Sequence, residues 1–541
     1  MSALKRTILR SDAAAIVVLA GAIVLYLLTS PMAGDFWWSD TGSHSMNGAL
    51  ILDFIASGDF GSPVKFVSQY YFRFPALTIA IYPPIFPMVE ALIYALVGYS
   101  HAAAQMVVLG FTVVATTYFY RLCRTAMSPI MAAGAALLLL SLPVIALWSR
   151  QVMLEMPALA LLIAASFYLI RFLDSNRISH LVVAVVLLVA SVYTKQTTLF
   201  AALAFAAVLL ADRGWRALRD RRIWLVAAFG ILLLIPFGAF TVIVAWQNLD
   251  TIRGVGQEAG SHVSWYALTW YASALPEIAR IAPLLAAAAY LVVAVLRGWS
   301  TVAERRLAVL MIAWFVTDYL FISPLAHREA RYGFFLAAPI AVLAALLVVR
   351  LLPARIAPAA ALALSATSLA LTLAVNPIPR VAGYPAIADY LLAHTSQDDA
   401  VVFHGLRSPN FVAALRAAKP TPQLFVLRAE KLLVDVRIMR EWGINDRSVS
   451  EADIAAMFER YGIEYVVFQR DFWTDQPSIA RFQDFVLSDR FERIATFPIT
   501  ANIPGQEAQM LLLRYRTPSH PPTRSFELKI PAVGVTVKGG T

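Results

Sequence analysis

A single cysteine, Cys123, stands in a chain of 541 residues, which excludes an internal disulfide framework. Charge is also scarce: Asp, Glu, Lys and Arg make up 14% of the residues against 60% hydrophobic ones, and the mean hydropathy is +0.68. No soluble globule of this length needs so much apolar surface. Also missing are an internal repeat, a phosphate- or dinucleotide-binding glycine loop, and a metal-spaced Cys/His cluster. Nucleic acid is excluded as a partner, because no basic patch is interleaved with aromatics on a soluble stretch. The first apolar run follows a basic start but lacks a small-residue cleavage site, so it is expected to remain as an anchor.

What is present is a series of apolar runs, about eleven from Ala13–Thr29 to Ala357–Val375, several shorter than the about 20 residues of a straight span. Basic residues alternate along them. Lys5, Arg6 and Arg10, then Arg121 and Arg124, Arg171 and Arg177, Arg213 to Arg222, Arg297 to Arg306, and Arg350 with Arg355 fall in every second connection. With those connections in the cytoplasm, the N-terminus lies inside and the C-terminus outside a bacterial inner (plasma) membrane. The net charge of +10 is then mostly a topology signal. The stretch Tyr82–Gly98, with Pro83, Pro84 and Pro87 at its start, would invert every later loop if it crossed. It is read as a re-entrant or interfacial helix on the outer side.

The expected fold is a polytopic α-helical membrane protein with a C-terminal soluble α/β domain. Residues 1–376 form the membrane module, including a long first outer loop at 30–101. After NPIPR (Asn376–Arg380) charge density rises, and residues 377–541 form the outer domain. Strand-like runs there are Ala400–His404, Gln423–Leu427, Glu464–Gln469, Phe491–Phe497 and Met510–Tyr515. Helices are expected at Tyr384–His394, Asn410–Ala418, Glu451–Tyr461 and Pro477–Leu487. The tail after Thr517, rich in Pro, Gly and Thr, is expected to be loosely ordered.

Carboxylates at a membrane edge are costly, so they are functional candidates. Asp40, in Trp37–Ser45 (WWSDTGSHS), suits a general base among aromatics, or caps the helix that follows. Asp35 and His44 lie close by. Arg150 and Glu155, in SRQVMLE, either shape a site or anchor helix ends. Lys195, the only charge in its outer turn, binds a lipid phosphate or snorkels. His327, Arg328, Glu329, Arg331 and Tyr332 crowd one outer loop against the positive-inside trend, which favours anion binding. Glu258 and His262 are expected to be solvated.

In this order the residues resemble those of GT-C-fold glycosyltransferases, especially the protein O-mannosyltransferase and aminoarabinose transferase type. The resemblance runs from Ala13 to Ile340. An acid in the first outer loop is matched by Asp40, and a His-Pro-Pro-Leu-like motif by Tyr82-Pro83-Pro84-Ile85. Ser-Arg followed by an acid is matched by Ser149, Arg150 and Glu155, the later lysine by Lys195, and an Arg-Tyr by Arg331 and Tyr332. The departures are Thr41 after Asp40, Glu at 155 in place of Asp, and Tyr82 in place of His. The resemblance implies transfer of a sugar from a polyprenyl-phosphate donor to an acceptor glycan, lipid or protein on the outer face. Asp40 would be the base of an inverting attack. Lys195, Arg331 and Arg328 would hold the lipid phosphate. Glu155 would be the second catalytic residue, shaping the site or holding the acceptor, and Arg150, His44, Tyr82, His327 and Tyr332 would shape the site or hold the acceptor. No cofactor is implied. Competing readings are a lipid-diphosphate enzyme with Asp40 and Glu155 on a divalent metal, a lipid transporter, and a binding scaffold.

Overall fold

The apolar runs fold as helices because a backbone in hydrocarbon must satisfy its hydrogen bonds within its own segment. The structure is a computed structural model describing residues 3–78, 81–243, 264–421, 423–436, 440, 443–503, 507–519, 525–530 and 535–540. Glu258 and His262 lie outside the described residues. In chain order the membrane module contains α1 (Ala3–Thr29), α2 (Ser39–Ser57), α3 (Pro63–Arg73), α4 (Ile85–Val97), α5 (His101–Cys123), α6 (Pro129–Ser141), α7 (Pro143–Trp148), α8 (Glu155–Ser175) and α9 (Ile178–Val192). There follow α10 (Ala201–Arg213), α11 (Arg216–Arg219), α12 (Arg221–Ile243), α13 (Trp265–Ala279), α14 (Ile281–Arg297), α15 (Val302–Ile322), α16 (Ala337–Leu351) and α17 (Ala357–Val375). Short 3-10 turns, Gln196–Phe200 and Ala330–Leu336, lead into α10 and α16. Among the described residues 7 helical stretches are long and apolar enough to cross a membrane, or 8 if the bent pair α13–α14 is one span. The 13-residue α4 is about 20 Å long, short of an about 30 Å hydrocarbon layer.

Small side chains let the helices approach. A Cβ on Gly134 of α6 would stand 2.9 Å from Ala361 Cβ of α17. Beside it Ser365 Oγ donates to Gly134 O at 2.9 Å, and Thr372 Oγ1 to Ser141 O at 2.7 Å. Such contacts hold helices together where lipid removes the hydrophobic drive between them. At one end of the bundle Arg306 reaches Asp174 at 2.8 Å and Asp212 at 2.7 Å, so three basic connections share one face.

The C-terminal domain begins with β1 (Val381–Ala382) and α18 (Tyr384–His394). Then come β2 (Ala400–His404), α19 (Ser408–Ala418), β3 (Phe425–Arg428), α20 (Ala429–Leu433), β4 (Val434–Val436), β5 (Ile444–Asp446), α21 (Glu451–Tyr461), β6 (Ile463–Phe468) and α22 (Pro477–Val486). It ends with β7 (Phe491–Pro498), β8 (Thr500–Ala501), β9 (Gln509–Tyr515), β10 (Ser525–Ile530) and β11 (Val535–Gly540). Five strands form one sheet in the order β3-β2-β6-β9-β7. The β2 pairings are parallel and the β9 pairings antiparallel. The buried runs of β2 and β6 fit a sheet covered on both faces. The tail departs from its expected looseness: β10 and β11 form an antiparallel hairpin. Phe526 is buried, stacked on Phe72 of α3 at 5.4 Å, because its alternating apolar residues find a face to cover.

Candidate active site

Four segments begin at one place. Asp40 is in the first turn of α2, Glu155 opens α8, Lys195 precedes the turn into α10, and Arg331 lies in the turn into α16. Helix starts bring free N–H groups and the positive end of the helix dipole, which together favour anions. Sequence positions up to 291 apart thus meet: Lys195 Nζ donates to Glu155 Oε1 at 2.6 Å, and Arg331 Nη1 to Asp40 Oδ2 at 3.5 Å. Arg331 Nε lies 3.6 Å from Glu155 Oε1, and Nη2 lies 3.2 Å from Glu329 Oε2. The Arg331 guanidinium also sits 5.2 Å from the Trp148 ring and 5.7 Å from that of Trp38, so aromatic faces complete its surroundings.

Exposure separates the three carboxylates. The Glu155 side chain is 1% exposed, Glu329 28% and Asp40 33%. Glu329 is engaged twice, by Arg331 and by His327 Nε2 at 2.8 Å. Burial raises the Glu329 carboxyl, but the hydrogen bond from His327 and the Arg331 charge outweigh it and leave the group below its ordinary value. Among the described residues, the ion pair of Asp40 is the long contact to Arg331 at 3.5 Å. It does not cap its own helix, since Trp38 is the N-cap and makes no side-chain cap bond. Burial pulls the Lys195 ammonium below its ordinary value, and Glu155 opposes that pull.

His44, one turn beyond Asp40, is buried with its ring 4.9 Å from Tyr82. Burial lowers the imidazole to about 4 despite the charges of Asp40 and Glu155, so it is neutral near pH 7. Tyr82 feels Asp40 and Arg331, and burial lifts its phenol well above the ordinary value. Ile85 N–H donates to Tyr193 O at 3.2 Å, which fixes the start of α4 beside the Lys195 turn. Tyr332 lies 5.9 Å from Lys195 Nζ. Buried atoms without a hydrogen-bond partner among the described residues include His44 Nδ1, Glu155 Oε2, Gln196 Oε1 and Thr197 Oγ1. Such atoms in a charged cluster are open to a bound molecule.

Two expected members stand apart. Arg150 does not join Glu155: its Nε donates to Ala146 O at 2.7 Å and its Nη1 to Thr29 Oγ1 at 2.9 Å. The chain turns between α7 and α8, so residues five apart point apart, and Arg150 ties α7 to the end of α1. Arg328 donates to Ala326 O at 3.1 Å, stands 5.6 Å from the Tyr266 ring, and forms no ion pair among the described residues. Sequence reasoning missed the Glu329–Arg331 pair and the Trp148 wall. Trp148 directly precedes the Ser149-Arg150 motif, which was the available signal. Among the described residues no three His, Cys, Asp or Glu side chains gather as a metal site.

Residues 82–240 match the family described as dolichyl-phosphate-mannose-protein mannosyltransferase. ArnT from Cupriavidus metallidurans, in a structure bound to undecaprenyl phosphate, superposes with a TM-score of 0.60 and 14% identity, covering 94% of this chain and 99% of that one. The chain is a GT-C-fold membrane protein. AglB from Archaeoglobus fulgidus, an oligosaccharyltransferase in complex with an inhibitory peptide and a dolichol-phosphate, superposes with a TM-score of 0.55 and 12% identity, over 84% of this chain and 69% of that one. No curated protein sequence matches. The family match thus covers the segment from α4 to α12, and the superposition covers the fold of nearly the whole chain.

Proposed function

We propose that this GT-C protein transfers a sugar from a polyprenyl-phosphate donor to a hydroxyl acceptor, a glycan, lipid or protein, at the face where α2, α8, α10 and α16 begin. The supporting observation is the Lys195–Glu155–Arg331–Asp40 cluster, in a fold whose neighbours hold undecaprenyl phosphate or dolichol phosphate. Asp40, half-buried and loosely held, takes the acceptor proton as the oxygen attacks the anomeric carbon. The bond from that carbon to the phosphate oxygen breaks on the opposite side, and the configuration inverts. Lys195 and Arg331 stabilise the charge that grows on the departing polyprenyl phosphate. Glu155 holds both cations in place meanwhile.

The reaction needs no divalent metal in this reading, because Asp40, Glu155 and Glu329 each already face Lys195 or Arg331. In this reading the active face lies outside a bacterial inner membrane, with the N-terminus in the cytoplasm and the C-terminal domain outside, which the basic connections at the opposite face support. The test is purified protein incubated with a panel of polyprenyl-phosphate sugars, with and without chelator, scoring free polyprenyl phosphate and product configuration. Chelator-resistant release with inversion is expected. Chelator-sensitive release, retention, or no release from any donor contradicts it.

A further inference from the structure

The segment that carries Asp40 is held from two sides. Residues 35–38, which lead into α2, are gripped by the C-terminal domain. Arg407 Nη1 donates to Trp37 O, and Asn410 Nδ2 donates to Phe36 O at 2.6 Å. Asp35 N–H donates to Val381 O at 2.8 Å, and the Tyr384 backbone N–H returns a bond to Asp35 Oδ2 at 3.0 Å. The Arg407 side chain is 4% exposed and its Nε stands 2.8 Å from Glu507 Oε1, which also accepts the Tyr384 hydroxyl at 2.9 Å. A Cβ on Gly42 would stand 2.8 Å from Pro409 Cβ, so α2 lies directly on the start of α19.

Arg407, Pro409 and Asn410 come from one place in the C-terminal domain: the β2–α19 connection and the first turn of α19, at the carboxyl end of the parallel strands. In open α/β sheets that edge ordinarily receives a ligand. Here the chain's own first outer loop fills it. We propose that Arg407 and Asn410 are positioning residues for the transfer reaction. They fix the carbonyls of Phe36 and Trp37, and thereby where the Asp40 carboxylate stands relative to Lys195 and Arg331. Neither touches a reacting atom. The proposal rests on Asp40 as the base.

A second tie between the same two bodies serves as the control. Arg416 Nη2 donates to Asp53 Oδ1 at 2.7 Å, near the far end of α2 and about 20 Å along it from Asp40 at 1.5 Å per residue. It docks the domain without touching residues 35–42.

The experiment measures kcat and donor KM for the full chain and for Arg407→Lys, Asn410→Ala, Arg416→Ala and Asp40→Asn, with thermal unfolding confirming equal folding. Displacing a reacting group by about 1 Å costs about a hundredfold. Arg407→Lys and Asn410→Ala are therefore expected to lower kcat about ten- to a hundredfold with donor KM within about twofold, and Arg416→Ala to leave both within about twofold. Wild-type kcat in the first two variants overturns the proposal while leaving the base assignment standing. An equal fall in Arg416→Ala also overturns it, since docking as such would then be the cause. Wild-type turnover in Asp40→Asn overturns the base assignment and the proposal together. If Arg407→Lys fails to fold, Gly42→Ala, which pushes the same segment off Pro409, is read by the same criteria.

Discussion

The Lys195–Glu155 pair shows how a buried charge can be a liability and a tool at once. Removing one partner of a buried pair leaves an uncompensated charge, which costs about 3–5 kcal/mol, whereas removing both is often neutral. Arg331, 3.6 Å from Glu155, softens the loss when lysine is the residue removed. Lys195→Met is therefore expected to lower stability and abolish turnover, and Lys195→Met with Glu155→Leu to recover the unfolding midpoint but not the turnover. Thermal unfolding beside an activity assay checks this, and recovered activity in the double variant would contradict the phosphate role. Asp35 offers a second residue-level test. Burial pushes its carboxyl up to about 6, against hydrogen bonds from the Tyr384 and Gly383 amides and the Arg407 charge. The folded chain then holds this proton more tightly than the unfolded one. Its stabilising contribution is complete below about pH 4 and is lost as pH rises through about 6, an effect of roughly 3 kcal/mol at about 1.4 per unit. Asp35→Asn should flatten that part of the stability profile, and an unchanged difference between unfolding at pH 4 and pH 7 would contradict it.

At the scale of elements, glycine gives the sharpest sign. Gly to Ala inside a helix ordinarily stabilises by about 0.5–1 kcal/mol. At Gly48 of α2 a Cβ would stand 2.5 Å from Glu90 Cβ and 2.8 Å from Tyr94 Cε2 of α4. Gly48→Ala is therefore expected to destabilise, by about 1–3 kcal/mol, and to lower turnover because α2 carries Asp40. A more stable, fully active variant would contradict that packing. The elements also show what a linear reading can recover. Strong periodicity and turn residues made the five strands of the central sheet and α18 and α21 legible, because those patterns are local. The break at Leu142–Pro143 inside the run Pro129–Leu147 was not, since apolar composition continues across it. Neither was the 116° bend between α13 and α14. The same limit separated Arg150 from the cluster and hid the Glu329–Arg331 pair. Order and sidedness along the chain bring residues to one membrane edge, while the direction each side chain takes is set by turns and neighbours far away in sequence. The grip of Arg407 on Trp37 spans 370 positions and left no local trace.

On the scale of the whole molecule, the charged ends of the bundle sort to opposite faces. The cluster of Asp40, Glu155, Lys195 and Arg331 marks one, together with the C-terminal domain, and the Arg306–Asp174–Asp212 network marks the other. Cys123 is buried, so background labelling is silent. In sealed vesicles an impermeant thiol reagent is expected to reach Ser396→Cys and Ser175→Cys, both exposed positions, from opposite sides. Labelling of both from one side would contradict a bundle crossed between them. The most direct measurement is single-turnover release of polyprenyl phosphate by wild type and Asp40→Asn, with the donor that supports turnover. A fall of about 10²–10⁴ in the rate with donor affinity retained is the expected result. Release at the wild-type rate from Asp40→Asn would contradict the assignment of chemistry to this cluster.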